Sequence, residues 1–86
     1  MKKITENNYQ EFIQSEECSN ITFTWIDFSG YDFWWKNIND CIFEKCNFSN
    51  SKFRNTSLNN IVFKKCKVMW VNFNEINNNL SNFDFY

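Results

Sequence analysis

Large apolar residues recur every fifth position through most of the chain. The frame runs through positions 23, 28, 33, 38, 43, 48, 53, 58, 63, 68, 73, 78 and 83, and only Asn78 among them is not large and apolar. Nine of the eleven phenylalanines stand in this one frame, which excludes coincidental spacing. A period of five fits neither the 3.6-residue repeat of a helix nor the two-residue alternation of a strand. Two positions before each centre stands a mostly small or β-branched residue: Ile21, Ile26, Tyr31, Cys41, Cys46, Ser51, Thr56, Ile61, Cys66, Val71, Ile76 and Ser81, with Lys36 the outlier. Directly before the centre Asp or Asn is frequent, as at Asp27, Asp32, Asn37, Asn47, Asn72, Asn77 and Asn82.

Two inward residues in every five describe a chain that turns a corner in each repeat. Four corners close a square coil of about twenty residues, and coils stack at the ladder spacing of about 4.8 Å. Inward residues then stack on those twenty positions along. Phe23 should lie under Phe43, Phe63 and Phe83; Phe28 under Phe48; and Phe33 under Phe53 and Phe73.

The repeats "IDFSG", "YDFWW", "CNFSN", "VNFNE" and "SNFDF" resemble the pentapeptide-repeat family, whose pattern is a small residue, Asp or Asn, Leu or Phe, then two variable residues. The resemblance covers residues 21 to 85. It implies an all-β fold, a right-handed four-sided β-helix of about three coils. Lys36, Ile42 and Asn78 depart from the pattern, and Asn78 within "NEINNNL" predicts an irregular fourth side in the last turn.

The two ends read differently. Residues 1–20 are expected to form a capping segment before the β-helix of 21–86. Asn7 and Gln10 have N-cap spacing, and Tyr9, Phe12 and Ile13 share one helical face, which predicts a short helix near residues 7 to 17 over the open first coil. At the other end, "SNFDFY" leaves Phe83, Phe85 and Tyr86 as a candidate homodimer interface, since a self-complementary apolar patch closes a twofold contact. Some quinolone-resistance members of the family resemble this arrangement.

Composition narrows the chemistry. The chain has no His and one Gly, Gly30, so histidine catalysis, His-metal sites and glycine-rich phosphate loops are excluded. No catalytic residue, metal ligand, cofactor or small-molecule substrate is expected, and the chain does not read as an enzyme. Asn is abundant and tolerates the left-handed backbone of tight corners. Cys41, Cys46 and Cys66 occupy the inward small slot; core thiols are the favoured reading, with a Cys46–Cys66 bridge or a metal as alternatives. With no apolar run of about 20 residues and no apolar leader, a cytoplasmic protein without membrane contact is expected.

Charge is layered although the whole chain carries only −1. Residues 1–40 carry a net −4 and residues 41–70 a net +5. A solvated mixed surface accounts for this without function. Outward slots hold Trp25, Trp34, Trp35, Met69 and Trp70, and Trp34 lies one coil below Arg54, within cation–π reach. These aromatics either cover the ladder or form a binding patch, since Trp and Arg dominate interface energetics. Trp34, Trp35, Arg54, Trp25 and Trp70 are the candidate partner-binding residues.

Three functions remain. The resemblance implies inhibition of a nucleic-acid-processing protein complex, as family members that imitate duplex DNA do with DNA gyrase or topoisomerase IV; a phage-type anti-CRISPR or anti-restriction inhibitor of a guided nuclease complex is the related version. A protein-interaction module with no nucleic-acid connection is the alternative. Direct nucleic-acid binding through Lys45, Lys64, Lys65 and Arg54 is the third.

Overall fold

A backbone that must bend after every fifth residue cannot form long strands, and this one does not. The computed structural model describes residues 2–5, 17–77 and 82–86. Its strands are β1 (Lys2–Ile4), β2 (Glu17–Ser19), β3 (Ile21–Thr24), β4 (Asn37–Asn39), β5 (Ile42–Glu44), β6 (Ser57–Lys64) and β7 (Asn82–Phe85). Every strand pairing is parallel. The offset through the body is twenty residues, as in Thr22↔Ile42, Ile42↔Val62 and Ile38↔Leu58. Single bridges Asp27↔Asn47, Asn47↔Lys67, Asp32↔Lys52 and Lys52↔Asn72 carry the same offset on the two remaining sides. The result is a four-sided β-solenoid of about three turns.

The axis is filled by aromatic columns. Phe23 stacks on Phe43 at 4.8 Å between ring centres, and Phe43 on Phe63 at 5.4 Å. Phe28 stacks on Phe48 at 5.1 Å. Phe33 stacks on Phe53 at 4.7 Å, and Phe53 on Phe73 at 5.5 Å. Edge-to-face contacts such as Phe43 against Phe48 tie the columns together across the coil. Cys18, Ile38 and Leu58 fill the fourth side. Ring separations follow the ladder spacing because identical side chains sit on consecutive rungs.

The last turn departs from the expected stacking. Strand β7 slips against β6, with Asn59↔Asn82 followed by Ile61↔Phe83 and Phe63↔Phe85. Phe85 therefore lies flat on Phe63 at 5.0 Å, and Phe83 meets that ring edge-on at 6.2 Å. The slip follows the break in the five-residue frame at Asn78, which itself lies outside the described residues. Ahead of it, Phe73–Glu75 forms a 3-10 turn where a bridge or corner would otherwise stand.

At the other end the ladder begins before residue 21. Strand β2 pairs with β4, and Glu17, placed at the end of the expected helix, is extended. Strand β1 pairs with β3, setting a fully buried Ile4 on Phe23. The rest of the expected cap helix lies outside the described residues. Lys36, the outlier in the small slot, is buried.

The corners have one shared geometry. Residues 20, 25, 30, 35, 40, 45, 50, 55, 60, 65 and 70 all have positive φ, between 52° and 71°. Each stands two places after a centre. On two sides the turn is closed by a bond from the next repeat to the centre carbonyl, as from the Tyr31 and Ser51 N–H to Phe28 and Phe48. The residue before the centre supports the same bend. Asp27, Asp32, Asn47 and Asn72 each accept from the N–H two residues on, at 2.9 to 3.1 Å. Hydrogen bonds from Ser29 hold the Asp27 carboxyl below its usual range.

Candidate interaction surface

Left-handed backbone suits Gly30 and the asparagines at 20, 50, 55 and 60, whose conformational freedom or short polar side chain accommodates it. It does not suit Trp25, Trp35 and Trp70, which have φ of 58°, 63° and 61°. A bulky residue there costs about 1–2 kcal/mol. Burial does not repay that cost, because the three are 63%, 61% and 82% exposed.

Trp34, Trp35 and Arg54 meet on one side of the coil. The two indoles lie 6.2 Å apart at 48°. The Arg54 guanidinium sits 5.3 Å from the Trp34 ring centre, as the one-coil offset predicts. It also donates to the Asp32 carboxylate in an ion pair, which raises the Arg54 pKa. This pair fixes the guanidinium over the indole. Beside it, Trp34, Arg54, Asn55, Asn74, Glu75 and Ile76 line an open depression of about 570 Å³. Trp25 stands at another corner, with Lys45 Nζ 4.8 Å from its ring centre. Trp70 and Met69 project at a third corner. The five candidate residues are thus all outward, but only Trp34, Trp35 and Arg54 form one cluster. Phe85 and Tyr86 are exposed on the last turn, and Phe83 is half-buried.

The thiols belong to the core. None of the four is in a disulfide; Cys18, Cys41 and Cys46 are buried and Cys66 half-buried. Cys46, Thr56 and Cys66 each donate to a centre carbonyl of the coil below, at Phe23, Phe33 and Phe43. At these three positions the small slot gives a polar hydrogen a partner, whereas the buried Ser51 hydroxyl in the same slot has none among the described residues. The neighbouring Cys46 and Cys66 thiols shift each other's titration, Cys46 upward and Cys66 downward. Burial pushes Cys41 up from 9.0 to about 11. The unfolded chain then loses this proton first, so stability present below pH 9 should fall as pH rises to 11. A loss of up to about 2 kcal/mol is expected from denaturant melts across that window. Cys41→Ala should fold and flatten the slope by the share that Cys41 contributes. Cys18 and Cys46, whose pKa values are also raised, keep theirs; an unchanged slope would place its origin in those thiols.

Among the described residues no cluster of His, Cys, Asp or Glu is placed to hold a metal, and no helix is long and apolar enough to cross a membrane.

The family model for pentapeptide repeats matches eight copies over residues 41–77. Residues 41–77 are pentapeptide repeats. The twenty-residue ladder continues beyond that match to Glu17 in the N-terminal direction. No curated protein and no solved structure matches the chain. A pentapeptide-repeat solenoid suggests a protein-interaction module, and the fold is typically a non-catalytic scaffold. Sequence reasoning missed that three of the four tryptophans stand in strained corners. The signal was there: Asn20, Asn50, Asn55 and Asn60 all stand two places after a centre.

Proposed function

We propose that this protein is a non-catalytic, stoichiometric binder that inhibits a nucleic-acid-processing protein complex, with Trp34, Trp35 and Arg54 as its contact centre. The observation carrying the reading is the placement of exposed tryptophans where asparagine or glycine would serve the fold better. Strain retained at an exposed position argues for a use outside the fold. Trp beside a pre-fixed Arg is the composition of an interface hot spot. The nucleic-acid-processing character of the partner is supported by the acidic first 40 residues and by family members that occupy the DNA channel of topoisomerases.

Trp34→Ala with Trp35→Ala should leave the melting temperature nearly unchanged. It should weaken capture of the partner about a hundredfold, as a hot-spot loss above 2 kcal/mol implies. The measurement is affinity capture with purified gyrase, topoisomerase IV and a guided nuclease complex, followed by competition with duplex DNA. Competition by DNA supports occupation of the nucleic-acid channel. Capture that DNA leaves untouched would favour an interaction module with no nucleic-acid connection. Capture that survives the Trp pair would remove the site.

A second copy of the chain is the second reading, favoured by the exposed Phe85 and Tyr86 beside Phe83. Sedimentation equilibrium distinguishes it, since Tyr86→Glu should then shift a dimer to monomer.

A further inference from the structure

A separate corner carries both positive charge and an exposed indole, Trp25, with Lys45 Nζ 4.8 Å from its ring centre. Trp25, Lys45 and Lys65 occupy the same corner on successive coils, all with positive φ. Their order along the axis is set by the bonds from the Trp25 N–H to the Glu44 carbonyl and from the Lys45 N–H to the Lys64 carbonyl. Lys67 follows on the adjoining side, bridged to Asn47 one rung below. Trp25, Lys45, Cys46, Asn47, Lys65 and Lys67 enclose a cleft of about 360 Å³. Lys64 flanks it on the other side of the corner. Two carboxylates are near. Glu44 is the ladder partner of Lys64, and Asp27 lies two rungs below Lys67 with its carboxylate engaged by Ser29.

We propose that this corner binds single-stranded nucleic acid, with Lys45, Lys65 and Lys67 on successive phosphates and Trp25 under a base. Lysine reaches phosphate as a flexible point charge. An exposed indole accepts any base by stacking, the combination that tracks single strands without reading sequence. Charge complementarity alone would also suit an acidic polypeptide, but such a chain offers no flat ring for the indole. The site is remote in the coil from Trp34, Trp35 and Arg54, so it stands or falls independently of the proposed inhibition.

The experiment is fluorescence anisotropy of the full chain with a labelled oligothymidine of about ten nucleotides, within the span a single small fold covers. Saturable binding is expected at low salt. The logarithm of the affinity should fall against the logarithm of salt with a slope near −2, from three lysines at about −0.7 each. Lys65→Glu with Lys67→Glu should weaken binding at least tenfold and flatten the slope. Trp25→Asn, which the corner geometry accommodates, should weaken it roughly five- to hundredfold with the slope unchanged. Trp34→Ala with Trp35→Ala should have no effect. Circular dichroism of each variant confirms the coil. Absence of saturable binding, indifference to Trp25→Asn, or equal binding of polyglutamate would overturn the proposal; the last outcome would make an acidic polypeptide the occupant.

Discussion

Phe48→Asp should leave a chain with no cooperative melting transition. Phe48 is fully buried, stacks on Phe28 at 5.1 Å and touches Phe33, Phe43, Phe53 and Phe63. Removing a buried Phe ring costs about 3–5 kcal/mol through lost burial and the cavity left behind. Aspartate adds a carboxylate to an apolar axis of three aromatic columns and one aliphatic side, where no partner can reach it. The sum matches or exceeds the stability of a small domain, about 5–15 kcal/mol. Phe48→Leu serves as the control and should fold, with a modest loss. Far-ultraviolet circular dichroism with thermal melting reads both. Retention of the wild-type signal and transition in Phe48→Asp would sink the stacked-coil architecture.

Trp70→Asn should do the opposite and raise the melting temperature. The residue is 82% exposed with φ of 61°, so the change relieves left-handed strain and gives up little burial. A gain of about 1 kcal/mol corresponds to about 4–8 °C in a domain of this size. Trp35→Asn should add a similar but smaller increment, because it also gives up the contact with Trp34. Trp25 is a poorer choice, since the Lys45 contact is worth about 0.5–1 kcal/mol and offsets the relief. The scan separates two roles cleanly. A stability gain shows that the tryptophans burden the fold and are retained for binding. A loss would make them cover for the ladder and remove the main support for the proposed site.

The contrast between these two predictions follows what the sequence could and could not convey. The columns from Phe23 to Phe73 were legible because inward slots tolerate few residue types, so the period shows directly. The Arg54–Trp34 contact was legible for the same reason, being one coil apart. Its Asp32 partner was not, since the ion pair crosses between different slots of neighbouring coils. Ile4 was hidden because it pairs with Phe23 at an offset of nineteen, outside the frame. The slip at β7 was hidden by composition: Phe83 and Phe85 are the same residue type, and either one can cover Phe63. The strained corners were masked by Trp25, Lys45, Lys65 and Trp70, which conceal a position that asparagine would have announced.

The constant twenty-residue offset in the body of the coil makes length and surface separately heritable. Duplication of twenty codons within the body would add one ladder step and leave every side facing as before. Duplication of five codons would also keep each Phe on the axis, yet it would rotate everything downstream by a quarter turn. Lys65, Lys67 and Trp70 would then stand over different sides of the first coil, with every centre still apolar although the columns exchange partners. In such a chain, small in-frame slippage during replication can redraw the recognition surface without passing through an unfolded ancestor.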